Sequence, residues 1–232
     1  MLDFSRFEVL TFDCYGTLID WESGISAAFA PIFVASSAAP ERDLLLESYA
    51  RHEQAAESGP YLPYRRVLAS ACRGVCADFG VEPRDQDTQT FTESVGSWPA
   101  FADSAAALRR LATRYRLGVI TNCDDDLFEL SRLRLGIHFD WVITAEHAHS
   151  YKPDRRNFEL ALRTIGRPKA SILHVAQSLY HDHVPAQELG LATAWIDRRR
   201  GQPGFGATPV ASAEPDVVLP DLRSLAELAA PG

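Results

Sequence analysis

The chain has 232 residues, 46 % of them hydrophobic, with 23 Lys and Arg against 31 Asp and Glu for a net charge of -8. That length suits one or two domains with a full core and no staples, and an acidic balance without a basic run excludes a nucleic-acid footprint. No apolar stretch reaches the ~18 residues of a membrane span, and the opening residues lack the basic-then-apolar order of a secretion signal, so a cytoplasmic protein is expected.

Residues 7–12 form a short, apolar, β-rich run that ends at Asp13. The pattern then changes: helical periodicity covers 26–35, 42–58, 64–79 and 87–95, with no convincing strand among them. Further strands are predicted at 117–121, 141–144, 172–175, 192–196 and 217–219, alternating with helices over 104–115, 126–135, 155–165 and 185–189. Near-continuous apolar runs belong in strands buried on both faces. The fold class expected is therefore α/β, a doubly wound parallel sheet of Rossmann-like type. Residues 1–20 and 99–232 would form its core, and 21–98 a helical cap inserted after the first strand. Residues 198–215, rich in Arg, Gly, Pro and Ala, read as a loop. The four cysteines, Cys14, Cys72, Cys76 and Cys123, include one pair at i, i+4 but no second pair to complete a zinc set, and are expected as reduced thiols.

Ligands of open parallel sheets bind outside the carboxyl ends of the strands. Asp13, Thr121 with Asn122, and residues 176–178 fall at such ends, and Lys152 follows the 141–144 strand by a short loop. An aspartate beside the N–H groups of a turn is expected to keep a lowered pKa and can act as a nucleophile that forms an ester; capping the next helix is the plainer alternative. Thr17, Thr121 and Asn122 could donate to an anionic substrate group. Lys152 and Lys169 are the only lysines among the 23 basic residues. Pro153 pushes Lys152 into an extended loop, where an ammonium near Asp13 would keep the carboxylate ionised; a solvated surface lysine is the alternative.

Asp13-Cys14-Tyr15-Gly16-Thr17-Leu18, Thr121-Asn122, Ser150-Tyr151-Lys152-Pro153 and Ser178-Leu179-Tyr180-His181-Asp182 resemble, in order and spacing, the motifs of the haloacid dehalogenase superfamily. The resemblance covers nearly the whole chain, the position of the helical cap included. It implies that Asp13 is the nucleophile, that Thr121 and Asn122 bind substrate or intermediate, and that Lys152 orients Asp13. Family phosphatases carry a second Asp where Tyr15 stands, and an Asp to help hold magnesium where Gln177 stands; both differences argue against a magnesium phosphatase. The form Asp-x-Tyr-Gly-Thr-Leu is similar to the 2-haloacid dehalogenases, which work without a metal. The implied reaction is displacement of halide from a small 2-substituted carboxylic acid, followed by hydrolysis of the aspartyl ester with Asp182 as base. Arg51 resembles the cap arginine near the leaving halide, and Tyr15, Thr17 and Ser178 complete the substrate-binding set. No cofactor and no metal are expected.

Two positions depart from the dehalogenase pattern. Phe158 replaces a tyrosine six residues after the motif lysine, and Leu179 replaces an asparagine three residues before Asp182. The segment from Asp13 to Glu22, with residues 178–183, is also similar to a subgroup that includes azetidine-2-carboxylate hydrolase. There the leaving group is an amine, and His181 or His183 could supply its proton. A binding protein that kept the fold without catalysis is the remaining alternative. Trp21, Tyr61, Tyr64, Trp98 and Phe101 are candidate pocket aromatics. The expected partner is a small-molecule carboxylate, with no nucleic acid or membrane, and a homodimer is a compatible assembly.

Overall fold

The apolar runs become six strands, β1 (Val9–Phe12), β2 (Arg116–Thr121), β3 (Trp141–Thr144), β4 (Ile172–Ala176), β5 (Ala192–Ile196) and β6 (Val217–Leu219). In this computed structural model, which describes residues 2–36, 38–204 and 206–231, they form one parallel sheet in the order β3-β2-β1-β4-β5-β6. Phe205, inside the predicted loop, lies outside the described residues. The strand order reverses between β1 and β4, and the crevice at that switch point is where a doubly wound sheet binds its ligand. The expected fold class is the one observed.

Alternation along the strands divides the core into two layers. Val9, Ile120, Ile143 and Ile172 pack with Phe158, Ala161 and Ile165 of α8 (Arg155–Ile165) and Ala186 of α9 (Val184–Glu188). On the other face Leu10, Phe12, Val119, Leu173 and Val175 meet α5 (Ser104–Leu111), α6 (Asp125–Leu135) and α10 (Leu222–Ala229). A one-turn helix, α7 (Ala145–Ala148), follows β3 and was not anticipated.

Between β1 and β2 the chain forms α1 (Trp21–Ala35), α2 (Arg42–Glu57), α3 (Tyr64–Asp78) and α4 (Asp85–Glu93). α1 begins at Trp21, before the predicted residue 26, because Asp20 caps it by accepting from Ser23 N–H at 3.2 Å. Their apolar faces meet around Phe29, Phe33, Tyr49, Leu68 and Phe91, in a cluster continuous with the sheet. Departure and return of this segment run side by side: Asp20 N–H donates to Pro99 O at 2.8 Å, and Phe101 N–H to Leu18 O at 3.1 Å. Among the described residues, no helix is long and apolar enough to cross a membrane.

Candidate active site

Asp13 continues β1, its N–H donating to Val175 O at 3.1 Å, and the chain then turns through Gly16 at φ 93°, a conformation glycine adopts without strain. That turn brings Thr17 back beneath Asp13. Thr17 Oγ1 donates to Asp13 Oδ2 at 2.7 Å and accepts from Gln177 N–H at 2.9 Å, tying the ends of β1 and β4 together.

Lys152 is buried and paired. Its Nζ donates to Asp13 Oδ1 at 2.8 Å, Asp182 Oδ1 at 2.7 Å and Ile120 O at 2.9 Å. Asn122 fixes the backbone of that lysine: its Oδ1 accepts from Lys152 N–H at 2.7 Å and its Nδ2 donates to Lys152 O at 3.0 Å. Burial works against the charge, but the two aspartates hold the Lys152 ammonium above the ordinary lysine value. Burial likewise opposes ionisation of Asp182, yet Lys152 and the His174 ring keep it well below the usual carboxylate range. Asp13 moves the other way. Burial pushes it up, Lys152 pulls it down, and the charge of Asp182 adds to the rise. The lowered pKa expected for Asp13 is thus corrected: two buried carboxylates share a single ammonium.

Asp13, Tyr15, Asn122, Lys152, Ser178 and Asp182 line one cavity of about 30 Å³, with Gln177, His181 and Thr208, and with Trp21, Glu53, Glu57 and Tyr64 of the helical segment. Glu57 and Lys152 also line a neighbouring cavity of about 300 Å³. Tyr15 offers only its ring, since its hydroxyl is engaged with Ser131 Oγ at 3.0 Å and Cys123 Sγ at 3.4 Å. Ser178 Oγ accepts from His181 N–H at 2.9 Å. Thr121, at the end of β2, is buried with Oγ1 unpartnered and does not line the cavity.

Three expectations fail. Arg51 lies on the outer side of α2, exposed and paired with Asp78 of α3. Tyr49, Glu53 and Glu57 follow one another at i+4 along the inner face of α2, and a residue two positions away faces outward. His181 and His183 are both held down to about 4 by burial, so they are neutral near pH 7. His183 is also turned away, with Nε2 3.0 Å from Ala176 O. Of the aromatics, Trp21 and Tyr64 line the cavity beside Asp13, Tyr61 belongs to the larger one and stacks on Tyr151, Trp98 packs edge-on to Tyr15, and Phe101 carries the Arg198 guanidinium.

Sequence reasoning missed two groups. The first is His174 in β4, with Nε2 3.0 Å from Asp182 Oδ1 and Nδ1 2.9 Å from Thr11 Oγ1. An ionised carboxylate only accepts, so Nε2 carries the proton toward Asp182, while Nδ1 pairs with the Thr11 hydroxyl. A histidine inside an apolar strand was the available signal. Phe158 packs edge-on against its ring at 5.0 Å. The second group is the pair Glu53 and Glu57, legible only as carboxylates at i, i+4 on a buried helix face. Among the described residues, no set of three or more His, Cys, Asp or Glu side chains gathers to hold a metal. At the site itself the Lys152 ammonium stands between both aspartates, a poor setting for a hard divalent cation.

A parallel sheet with a buried Asp–Lys–Asp array at its switch point defines the class, a doubly wound α/β protein with a carboxylate at the tip of its first strand. Residues 7–179 match the haloacid dehalogenase-like hydrolases, and the chain belongs to that family. It is 28 % identical over 222 residues to a (S)-2-haloacid dehalogenase of Pseudomonas putida, covering 94 % of this chain and 93 % of that one. With a (S)-2-haloacid dehalogenase of Pseudomonas fluorescens it shares 30 % over 173 residues, 73 % and 72 % of the two chains. The solved structure of the L-2-haloacid dehalogenase from Xanthobacter autotrophicus with chloropropionic acid covalently bound has the same fold. The TM-score is 0.79 at 19 % identity, over 96 % of this chain and 98 % of that one.

Proposed function

We propose that this protein is a hydrolase of small 2-substituted carboxylic acids that acts through an ester on Asp13, with the activity of a (S)-2-haloacid dehalogenase. The observation that carries this reading is the buried Lys152 ammonium bridging Asp13 and Asp182 beneath a cavity. It is supported by the two Pseudomonas relatives of that name.

In the first step an Asp13 oxygen forms a bond to Cα, and the carbon–halogen bond breaks with its electron pair on the halide. Water then attacks the ester carbonyl of Asp13 as Asp182 takes its proton; the bond between that carbonyl carbon and the oxygen on Cα breaks, the 2-hydroxy acid leaves with the proton returned from Asp182, and the Asp13 carboxylate is restored. Asp182 Oδ2 is buried without a partner, which leaves it open to accept from that water, while His174 and Lys152 hold Oδ1. The Lys152 ammonium and the Thr17 hydroxyl offset the charge that develops on Asp13. Asn122 keeps Lys152 in place, and Ser178 and the Tyr15 ring shape the cavity. Residues 21–98 act as a cap, and the larger cavity is the route by which a small carboxylate arrives.

Chloride release from L-2-chloropropionate, with the D isomer inert, is the expected result, unchanged after dialysis against a chelator. Single turnover in heavy-oxygen water should place the label in the Asp13 carboxylate. Turnover that survives Asp13→Asn would end this reading.

A further inference from the structure

With Phe158 in place of a tyrosine and Leu179 in place of an asparagine, the chain lacks a hydroxyl and an amide of the dehalogenase pattern. Leu179 lines a separate cavity with Trp195 and Arg200, not the one beside Asp13. Phe158 is fully buried, and its ring meets the His174 ring edge-on at 5.0 Å. His174 is placed by strand register. Thr11 of β1 and His174 of β4 are paired neighbours, and alternation turns both toward α8, on the face that carries Asp13 two residues beyond Thr11. Thr11, His174 and Asp182 are all at most 1 % exposed.

The ring bridges strand and turn, with Nδ1 2.9 Å from Thr11 Oγ1 and Nε2 3.0 Å from Asp182 Oδ1. Lys152 Nζ reaches that same Oδ1 at 2.7 Å. Two donors from different elements thus fix the plane of the Asp182 carboxyl, which a single donor would leave free to turn about its Cβ–Cγ bond. Among the described residues, Oδ2 is the oxygen left without a partner. Asp13 has no such neighbour: Lys152 holds its Oδ1 and Thr17 its Oδ2. We infer that His174, seated by Thr11 and backed by Phe158, is the positioning residue of the water step. It holds Asp182 so that Oδ2 meets the water that cleaves the Asp13 ester, in place of the hydroxyl and amide absent at 158 and 179. The inference rests on the aspartyl-ester reading, and it makes the effect of His174 specific to one step. Displacement of halide uses Asp13, Lys152 and Thr17 and leaves Asp182 idle, whereas hydrolysis needs its carboxyl aimed at the water.

Rapid-quench kinetics with L-2-chloropropionate on the full chain separates the two steps. In His174→Phe, which keeps a ring and removes both nitrogens, ester hydrolysis should slow about 100-fold, with the first chloride released within about threefold of the parent rate. A chloride burst should then precede slow turnover, and intact-mass measurement should find the ester on Asp13. His174→Gln, whose amide can donate to Asp182, should recover about tenfold of that loss, and Thr11→Val should slow the same step about fivefold. Thr11→Val carries the comparison by itself where the phenylalanine chain does not fold. Equal loss in both steps, turnover undiminished in the variants, or a glutamine no better than phenylalanine would overturn the role. Carboxyl NMR gives a readout without turnover. Lys152 still faces Asp182 in the variant, Asp13 stands across that ammonium, and His183 stays on Ala176 O. With the His174 donor gone, the titration of Asp182 should move up by about one pH unit; an unmoved titration would overturn the role. That shift, with no chloride released by the parent, would keep the positioning of Asp182 and remove the dehalogenase reading.

Discussion

At the scale of single residues, the site is a problem of charge placement. Lys152 is buried, which is costly for an ammonium, and it is held there by two carboxylates and a carbonyl. Removing it leaves two buried acids without compensation. Lys152→Met should lower halide release roughly 100- to 1,000-fold and destabilise the fold by about 3–5 kcal/mol. Urea melts at pH 8 and pH 3 check the second part. Asp182 ionises well below the usual carboxylate range in the folded protein, so its pairing with Lys152 contributes above the unfolded carboxylate pKa and is lost as pH falls. The difference between parent and variant should therefore be larger at pH 8. Asp13, Thr17, Asn122 and Lys152 were legible as candidates, because strand ends and a proline-fixed loop announce themselves locally. His174 was not, because one histidine in an apolar run gives no hint of which carboxylate it meets.

At the scale of elements, the four inserted helices bear on the site through their ends as well as their faces. Pro63 at the start of α3 gives no side-chain cap. Asp124, in the loop after β2, supplies the acceptors instead, taking Tyr64 N–H at 2.7 Å and Arg65 N–H at 3.1 Å. A carboxylate there also faces the positive end of the helix. Asp124→Ala should cost about 1–2 kcal/mol in urea unfolding, with faster amide exchange at Tyr64 and Arg65 than in the rest of α3. The register of α2 has the larger functional consequence. It turns Glu53 and Glu57 inward and Arg51 outward, so that carboxyl groups and not a guanidinium stand opposite Asp13.

At the scale of the whole molecule, the acidic wall bears on stability. Glu53 in the folded protein holds its proton up to about 7, whereas its ordinary value is 4.5. Between those values the folded state binds more protons than the unfolded chain, so this group lowers stability progressively as pH rises through the window. Above it the full cost is present. Gln at this position keeps an oxygen for both tyrosines and removes the ionisation. Glu53→Gln should raise stability by about 1–3 kcal/mol at pH 8, with the gain fading toward pH 4.5; thermal melts across that range check it.

Strand alternation, apolar runs and turn chemistry act over a few residues, so the sheet, the inserted helices and the Asp13–Lys152 rim could be read from the chain itself. Residues 141–144 and 172–175, for example, read as buried strands and form β3 and β4, while Lys152 reads as a group near Asp13 and is bonded to it. What the tertiary structure alone decided was how many carboxylates share that ammonium, that His174 joins them, and which side of α2 faces the cavity. Those depend on long-range packing and on the low dielectric of a closed interior, neither of which leaves a local trace in the residues concerned.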